Sequence, residues 1–404
     1  MSTSDSNDRP PGPADAGRTD AGLADAGLAD AGLNWRLGGS AGIAVGPTNS
    51  IADVAGLRVG NASRTTPGWL TGATVVIGGD DGLAAAVDIR GGGTATRETA
   101  ALDPMGVVER VQAIYLSGGS AYGLNAVGGV MEALQERGLG FPVGEDLRAV
   151  VPIVPAATLF DLGRGGVFDN RPDAAMAREA TEAAFASPVG ERVAQGSIGA
   201  ATGAITGEMR GGIGTASAVL SNGVVVAALA VVNADGTTLD PRTGAPWGLF
   251  AELDDEFGIS VPEPQEHRAA RERLYAFAEA RPALRPLNTT LVVVATTAPL
   301  SRSELQKLAG TSQDGMARAI RPVHTLGDGD VVFAVSTQAG GLPDAAPGLL
   351  PAHRRSDQLN QVFTAGADVV TRAIVHGVLS ATSVDTPAGH LPSYRELYPG
   401  ATGA

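Results

Sequence analysis

Cysteine is absent from the 404 residues. That excludes disulfides, thiolate metal sites, iron–sulfur clusters and cysteine nucleophiles. Aromatic residues are scarce at 4%, so a core has to be assembled from Ala, Val, Leu and Ile. Charged residues reach only 18%, and the basic ones are the minority, 29 against 43 acidic, for a net charge of −14. A chain short of Lys and Arg is a poor partner for nucleic acid or anionic membrane. No run approaches the roughly 18 consecutive apolar residues of a membrane span. The five histidines, His267, His324, His353, His376 and His390, never fall in a His-x-x-x-His spacing, which argues against a His-based metal site. There is no Walker motif and no Gly-x-Gly-x-x-Gly between a strand and a helix, so nucleotide binding has no support. A Gly-x-Ser-x-Gly elbow is also missing, which weakens an α/β-hydrolase reading.

What is present is enough apolar residue, 44%, for a large core, and 56 glycines to turn the chain or let backbones approach closely. Residues 1–40 stand apart. Ala-Asp-Ala-Gly-Leu nearly repeats from Asp15 to Leu33 behind Pro10, Pro11 and Pro13, and we expect a disordered tail. It has no basic stretch followed by an apolar one, so it does not read as a secretory signal. From 41 to 404 we expect one domain. Strands are expected over 72–77, 82–90, 111–117, 223–232, 290–297 and 330–336, and helices over 122–136, 173–186, 301–320 and 357–379. The 223–232 strand is apolar throughout, as in a strand buried on both faces. Residues 262–287, rich in Pro, Arg and Glu, read as an exposed linker with a short helix. Behind it the chain reads β-α-β-α.

Four places bear chemistry. In Leu287-Asn288-Thr289-Thr290-Leu291, a Thr opens an apolar strand just after the linker. Thr favours strands, and an ordinary strand start accounts for it. Alternatively, backbone cleavage makes Thr289 an N-terminus whose hydroxyl attacks a carbonyl while its freed α-amine serves as base. That chemistry needs neither His nor Cys. In Gly327-Asp328-Gly329-Asp330, two carboxylates sit at a turn leading into a strand. They are either solvated or aimed at the nucleophile; an EF-hand loop would need further ligands. Asn233 ends the 223–232 strand, as a turn former or as an oxyanion donor. Tyr122 follows Ser117-Gly-Gly-Ser-Ala, either as an aromatic at a helix start or with its hydroxyl toward a substrate carbonyl.

Taken together, Ile51-Ala-Asp-Val-Ala-Gly-Leu-Arg-Val-Gly, Thr71-Gly-Ala-Thr-Val-Val, Leu116-Ser-Gly-Gly-Ser-Ala-Tyr-Gly-Leu, Gly211-Gly-Ile-Gly-Thr-Ala-Ser, Val231-Val-Asn and Asn288-Thr-Thr resemble the P1 peptidase family. These are self-processing aminopeptidases of the D-aminopeptidase and β-peptidyl aminopeptidase type. The resemblance runs from about Ser50 to Ala381. Asn-Thr-Thr followed by His324-Thr-x-x-Asp328-Gly-Asp330 is similar to the branch holding the nylon-oligomer hydrolases; other members carry a Ser nucleophile and a Ser/Glu pair there.

The resemblance implies an α+β fold, a four-layer αββα sandwich like that of N-terminal-nucleophile hydrolases. It implies self-cleavage between Asn288 and Thr289 into fragments 1–288 and 289–404 that stay associated. Thr289 would be nucleophile and base, Asp328 and Asp330 would hold and polarise it, and Asn233 and Tyr122 would donate to the oxyanion and the substrate carbonyl. No cofactor and no metal are implied, and the expected form is a cytoplasmic homo-oligomer of such units, a tetramer. Two positions depart from the pattern. Glu208 falls where the nylon-type enzymes carry Lys, and Asn61 where many members show His.

From Glu208 we expect a carboxylate that binds a substrate's free amine, or else a residue exposed in a turn. The expected function is thus a self-processing aminopeptidase or amidase. The alternatives are an endo-acting 6-aminohexanoate oligomer hydrolase, an acyltransferase of related fold (whose Lys-Gly-x-Gly-Met signature is missing), and an inactive scaffold.

Overall fold

The computed structural model describes residues 43–144, 146, 149–279 and 287–403. The expected tail over 1–40 lies outside them, as does the 280–286 end of the expected linker.

Two sheets carry the fold. In chain order their strands are β1 (Ala44–Val45), β2 (Arg58–Arg64), β3 (Thr71–Ile77), β4 (Ala84–Ile89), β5 (Thr96–Arg97), β6 (Ala113–Ser117), β7 (Ala156–Thr158), β8 (Ile213–Val219), β9 (Val225–Val231), β10 (Leu291–Thr296) and β11 (Val331–Ser336). One sheet is ordered β1-β8-β9-β10-β11-β4 and the other β2-β3-β6-β7-β5. The main helices are α1 (Val127–Gln135), α2 (Ala174–Ala186), α3 (Pro264–Glu279), α4 (Arg302–Ala319) and α5 (Pro351–Leu379).

Alternation along the strands sorts the apolar side chains into three packed seams. Leu291, Val293 and Ala295 of β10 and Val331, Phe333 and Val335 of β11 face Val76 of β3 and Ile114 and Leu116 of β6, forming a seam between the sheets. The other faces of β10 and β11, Val292, Val294, Val332 and Ala334, pack on Leu305, Leu308 and Met316 of α4 and on Val369, Val370 and Ile374 of α5. Behind the second sheet, Val75 and Tyr115 meet Val127 and Val130 of α1 and Met176 and Ala180 of α2. Three seams between four layers make the αββα sandwich. Each fully buried Val, Leu or Phe stabilises it by about 1.5–3 kcal/mol. Helix and sheet approach closely where glycine takes the place of a side chain: a Cβ on Gly214 of β8 would run into the Ala373 carbonyl of α5.

Several expected elements are shifted. The 122–136 helix is broken into a turn over Ser120–Gly123, a 3₁₀ piece over Leu124–Ala126 and then α1. The short helix of the 262–287 stretch is the sixteen-residue α3, and α5 begins at Pro351 rather than 357. Among the described residues, α5 is the one helix long and apolar enough to cross a membrane, and its apolar stretch is mostly buried inside the molecule.

The registers decide where the site lies. β9 runs antiparallel to β10 with Val231 opposite Leu291, and β10 runs parallel to β11 with Leu291 opposite Val331. Asn233, Thr289, Asp328 and Asp330 therefore lie just beyond the same end of three neighbouring central strands of one sheet.

Candidate active site

Asn288 extends the β10–β11 pairing backward. Its N–H donates to the Gly327 carbonyl at 3.0 Å, and its own carbonyl accepts from the Gly329 N–H at 3.0 Å. The N–H of Thr289 donates to the Asn233 carbonyl at 2.6 Å. The Asn288–Thr289 peptide is thus held from both sides, between β9 and the turn before β11. Both residues are 3% exposed. The Thr289 hydroxyl donates to the carbonyl oxygen of Asn288, so this hydroxyl and the carbonyl of the peptide bond before it lie in contact. Gly329 makes room for this, since a Cβ there would sit 2.6 Å from Thr289 Oγ1.

The two aspartates brace this turn from either side of Gly329. Asp330 Oδ1 accepts the Thr290 N–H at 2.8 Å, and Oδ2 accepts the His324 N–H at 3.1 Å and lies 2.8 Å from His324 Nδ1. His324 is at φ +56°, in the left-handed region, and so turns its N–H back to that carboxylate. The other ring nitrogen, Nε2, is buried with no hydrogen-bond partner. Asp328 Oδ1 accepts the Asp235 N–H at 3.0 Å, and Oδ2 lies 3.0 Å from Thr325 Oγ1. That hydroxyl is also 3.0 Å from Asp235 Oδ2. It has one proton to donate, so it can serve only one of the two carboxyl groups at a time. Burial, with the negative neighbour Asp330 second, pushes the Asp328 carboxyl up to about 6.

Asn233 is fully buried. Its Oδ1 accepts from Arg164 Nη1 at 2.5 Å and from the Ile205 N–H at 3.0 Å, while its Nδ2 has no partner. An unpartnered buried donor costs about 1–3 kcal/mol. It is the expected arrangement for a group whose acceptor arrives with the reaction. Arg164 also donates to the Gly203 carbonyl at 2.7 Å and, through Nη2, to Asn288 Oδ1 at 3.0 Å.

The structure therefore brings together Thr289, Asn288, Asn233, Asp328 and Asp330. It leaves two expected residues outside these contacts. Tyr122 is half exposed, with the Arg171 guanidinium 4.1 Å from its ring centroid. Glu208 is exposed at the turn of a small hairpin, Ile205–Thr206 with Met209–Arg210, whose first residue donates to Asn233. Sequence reasoning missed Arg164, Gly329, Asp235 and the use of His324. Asp235 and Gly329 stood beside flagged residues and His324 inside a quoted motif. Arg164, in Gly163-Arg-Gly-Gly, gave no signal of its own. Among the described residues, no group of three or more His, Cys, Asp or Glu side chains is arranged to hold a metal ion.

The model of peptidase family S58 matches residues 49–391. A protein named as an aminopeptidase in Mycobacterium tuberculosis is 44% identical over 364 residues, 88% of this chain and 100% of the relative. The 6-aminohexanoate-oligomer endohydrolase of Kocuria sp. is 34% identical over 298 residues, 72% of this chain and 76% of the relative. Among solved structures, the beta-aminopeptidase of Burkholderia sp. superposes with a TM-score of 0.62 at 23% identity, covering 89% of this chain and 94% of its own. The L-aminopeptidase D-Ala-esterase/amidase of Ochrobactrum anthropi, described as a new variant among the Ntn hydrolase fold, gives 0.62 at 20% identity over 88% and 93%. The last two likenesses concern the fold, and the match across most of the chain settles the rest: this chain belongs to peptidase family S58 and is a hydrolase of peptide or amide bonds.

Proposed function

We propose that the chain cuts itself between Asn288 and Thr289 and then works as an aminopeptidase or amidase with Thr289 as its N-terminal nucleophile. The observation that carries this reading is the Thr289 hydroxyl lying on the carbonyl of the residue before it, with that carbonyl already on the Gly329 N–H. In processing, Oγ1 attacks the Asn288 carbonyl carbon, the C–N bond breaks with a proton passing to the nitrogen, and water hydrolyses the resulting ester. The products are a carboxylate on Asn288 and a free α-amine on Thr289. In turnover that amine takes the hydroxyl proton, Oγ1 attacks the substrate carbonyl, and the leaving amine departs with the proton. Water then releases the acyl group. Asn233 Nδ2 is the proposed oxyanion donor, Asp328 and Asp330 hold and polarise the nucleophile, and Tyr122 meets the substrate from the rim.

The test is a denaturing gel with N-terminal sequencing. The wild type is expected as two fragments, the smaller beginning at Thr289, and Thr289→Ala as one uncut chain. A small fragment with another first residue defeats the assignment. Light scattering on the same sample reads the proposed homo-oligomer of cut units, a tetramer; the mass of a single 40.6 kDa unit rejects it.

For substrate we propose short amides with a free amino end, with Glu208 pairing the ammonium group. The aminopeptidase name of the 44% relative supports this choice. The 34% relative supports the second reading, endo-cleavage of ω-amino-acid oligomers. Free and N-acetylated substrates on wild type and Glu208→Gln separate the two. Faster cleavage of blocked substrates or long oligomers selects the second.

A further inference from the structure

We infer that Arg164 is a positioning residue that fixes the amide of Asn233 in its working orientation and couples it to the bond at Asn288. The inference rests on the reading of Thr289 as nucleophile and adds a residue to it. An asparagine amide has two orientations related by a half-turn, and they differ in which side carries the donor. At Asn233 two donors meet one side: Arg164 Nη1 at 2.5 Å and the Ile205 N–H at 3.0 Å. The flipped amide would set N–H against N–H twice. Only Oδ1 satisfies that side, so Nδ2 is forced to the other, where it is fully buried and lacks an acceptor.

The guanidinium is itself held firmly enough to impose this choice. Nη1 is shared with the Gly203 carbonyl at 2.7 Å, and Nη2 reaches Asn288 Oδ1 at 3.0 Å. One rigid planar fork therefore touches both the proposed oxyanion donor and the residue carrying the carbonyl to be attacked. Its charge adds to the effect. A cation on Oδ1 draws electron density through the amide and makes the Nδ2 hydrogens better donors. A second guanidinium reinforces the positive field: buried Arg210, pulled down to about 10 first by burial and then by Arg164. Asp161, also buried, lies near Arg164; burial pushes its carboxyl up to about 6, and Arg164 pulls weakly the other way.

The test uses the full-length chain carrying Arg164→Ala, Arg164→Lys, Asn233→Ala and the Arg164→Ala/Asn233→Ala double variant. Losing an oxyanion donor typically lowers kcat by about 10²–10³-fold. We expect Arg164→Ala to slow appearance of the Thr289 fragment, and kcat of the cut enzyme, by about 10²-fold at most twofold change in KM. The double variant should be no slower than Asn233→Ala, because both act through one group. Added guanidinium ion at about 10 mM should restore part of the Arg164→Ala rate and none of the Asn233→Ala rate, an outcome a purely structural role would not produce. Should Arg164→Ala not fold, Arg164→Lys carries the test: a single ammonium cannot replace the fork, so kcat should drop at least about tenfold with KM held. Wild-type kcat in Arg164→Lys, additive losses in the double variant, or no rescue by guanidinium overturns the inference. A wild type uncut at Asn288–Thr289 would instead defeat the nucleophile assignment, whatever the Arg164 variants do.

Discussion

At the residue scale the site is an exercise in placing few groups without room for error. Asp328 is the most sensitive of them. Its folded-state carboxyl titrates near 6, above the usual range, because burial and then Asp330 disfavour its charge. The sign follows from linkage: between about pH 4 and 6 the folded chain holds a proton that the unfolded chain has released, so this group's contribution to stability falls as pH rises through that window. If the carboxylate is the working form, activity rises through the same window. Asp328→Asn is therefore expected to lower kcat by about 10²-fold or more and to flatten the limb near pH 6 in a kcat/KM profile. A profile with that limb unchanged would return Asp328 to an ordinary turn residue. Thr289, Asp328, Asp330 and Asn233 were legible in the sequence because each stands at the end of an unmistakable apolar strand. Arg164 was not, since its partner Asn288 is 124 positions away and only the fold joins them. Gly329 was visible as a turn residue, but the use of its N–H depends on a neighbouring backbone.

At the scale of elements, β9, β10 and β11 were plain from their unbroken β-branched runs, and the strand–helix–strand order of the last third predicted two adjacent strands. The break before α1 was not legible, because the apolar spacing of Leu124, Val127, Val130 and Leu134 is helical straight through it. Nor was the ionic knot where α5 meets the edge of the first sheet. There Glu256 takes Arg372 Nε at 2.5 Å and Nη2 at 2.8 Å and His376 Nε2 at 2.8 Å, while Asn49 Nδ2 donates to it at 2.5 Å. Burial alone would push the Glu256 carboxyl up, but His376 and Arg372 pull it down to about 2. A depressed carboxyl contributes stability that is present above its unfolded value and lost as pH falls through the folded one. Glu256→Gln takes from the wholly buried Arg372 the carboxylate it is hydrogen-bonded to and should cost about 3 kcal/mol at pH 7. In urea melts the gap to wild type should narrow as pH is lowered from about 4 toward 2. A constant gap would make the knot a matter of packing rather than charge.

At the scale of the whole molecule, the four layers and their order followed from the family resemblance rather than from any strand or helix pattern, because which sheet a strand joins is decided by contacts far along the chain. The proposed cut makes this long-range wiring testable. Residues beyond Thr289 supply β10 and β11 in the middle of the six-stranded sheet, and α4 and α5 over it. Residues before it supply the flanking strands β9 and β4. The two pieces should thus co-elute on a sizing column in buffer and part only in denaturant; separation in buffer alone would count against cleavage after folding. A less obvious consequence concerns time. The intact chain folds as a unimolecular reaction, but a cut molecule that has unfolded must find its other half again. Its recovery then depends on concentration, and the middle of its sheet is missing until the encounter occurs. Processing at this bond would turn a reversible fold into one assembled once, so that the working enzyme persists by the slowness of its unfolding rather than by its capacity to re-form.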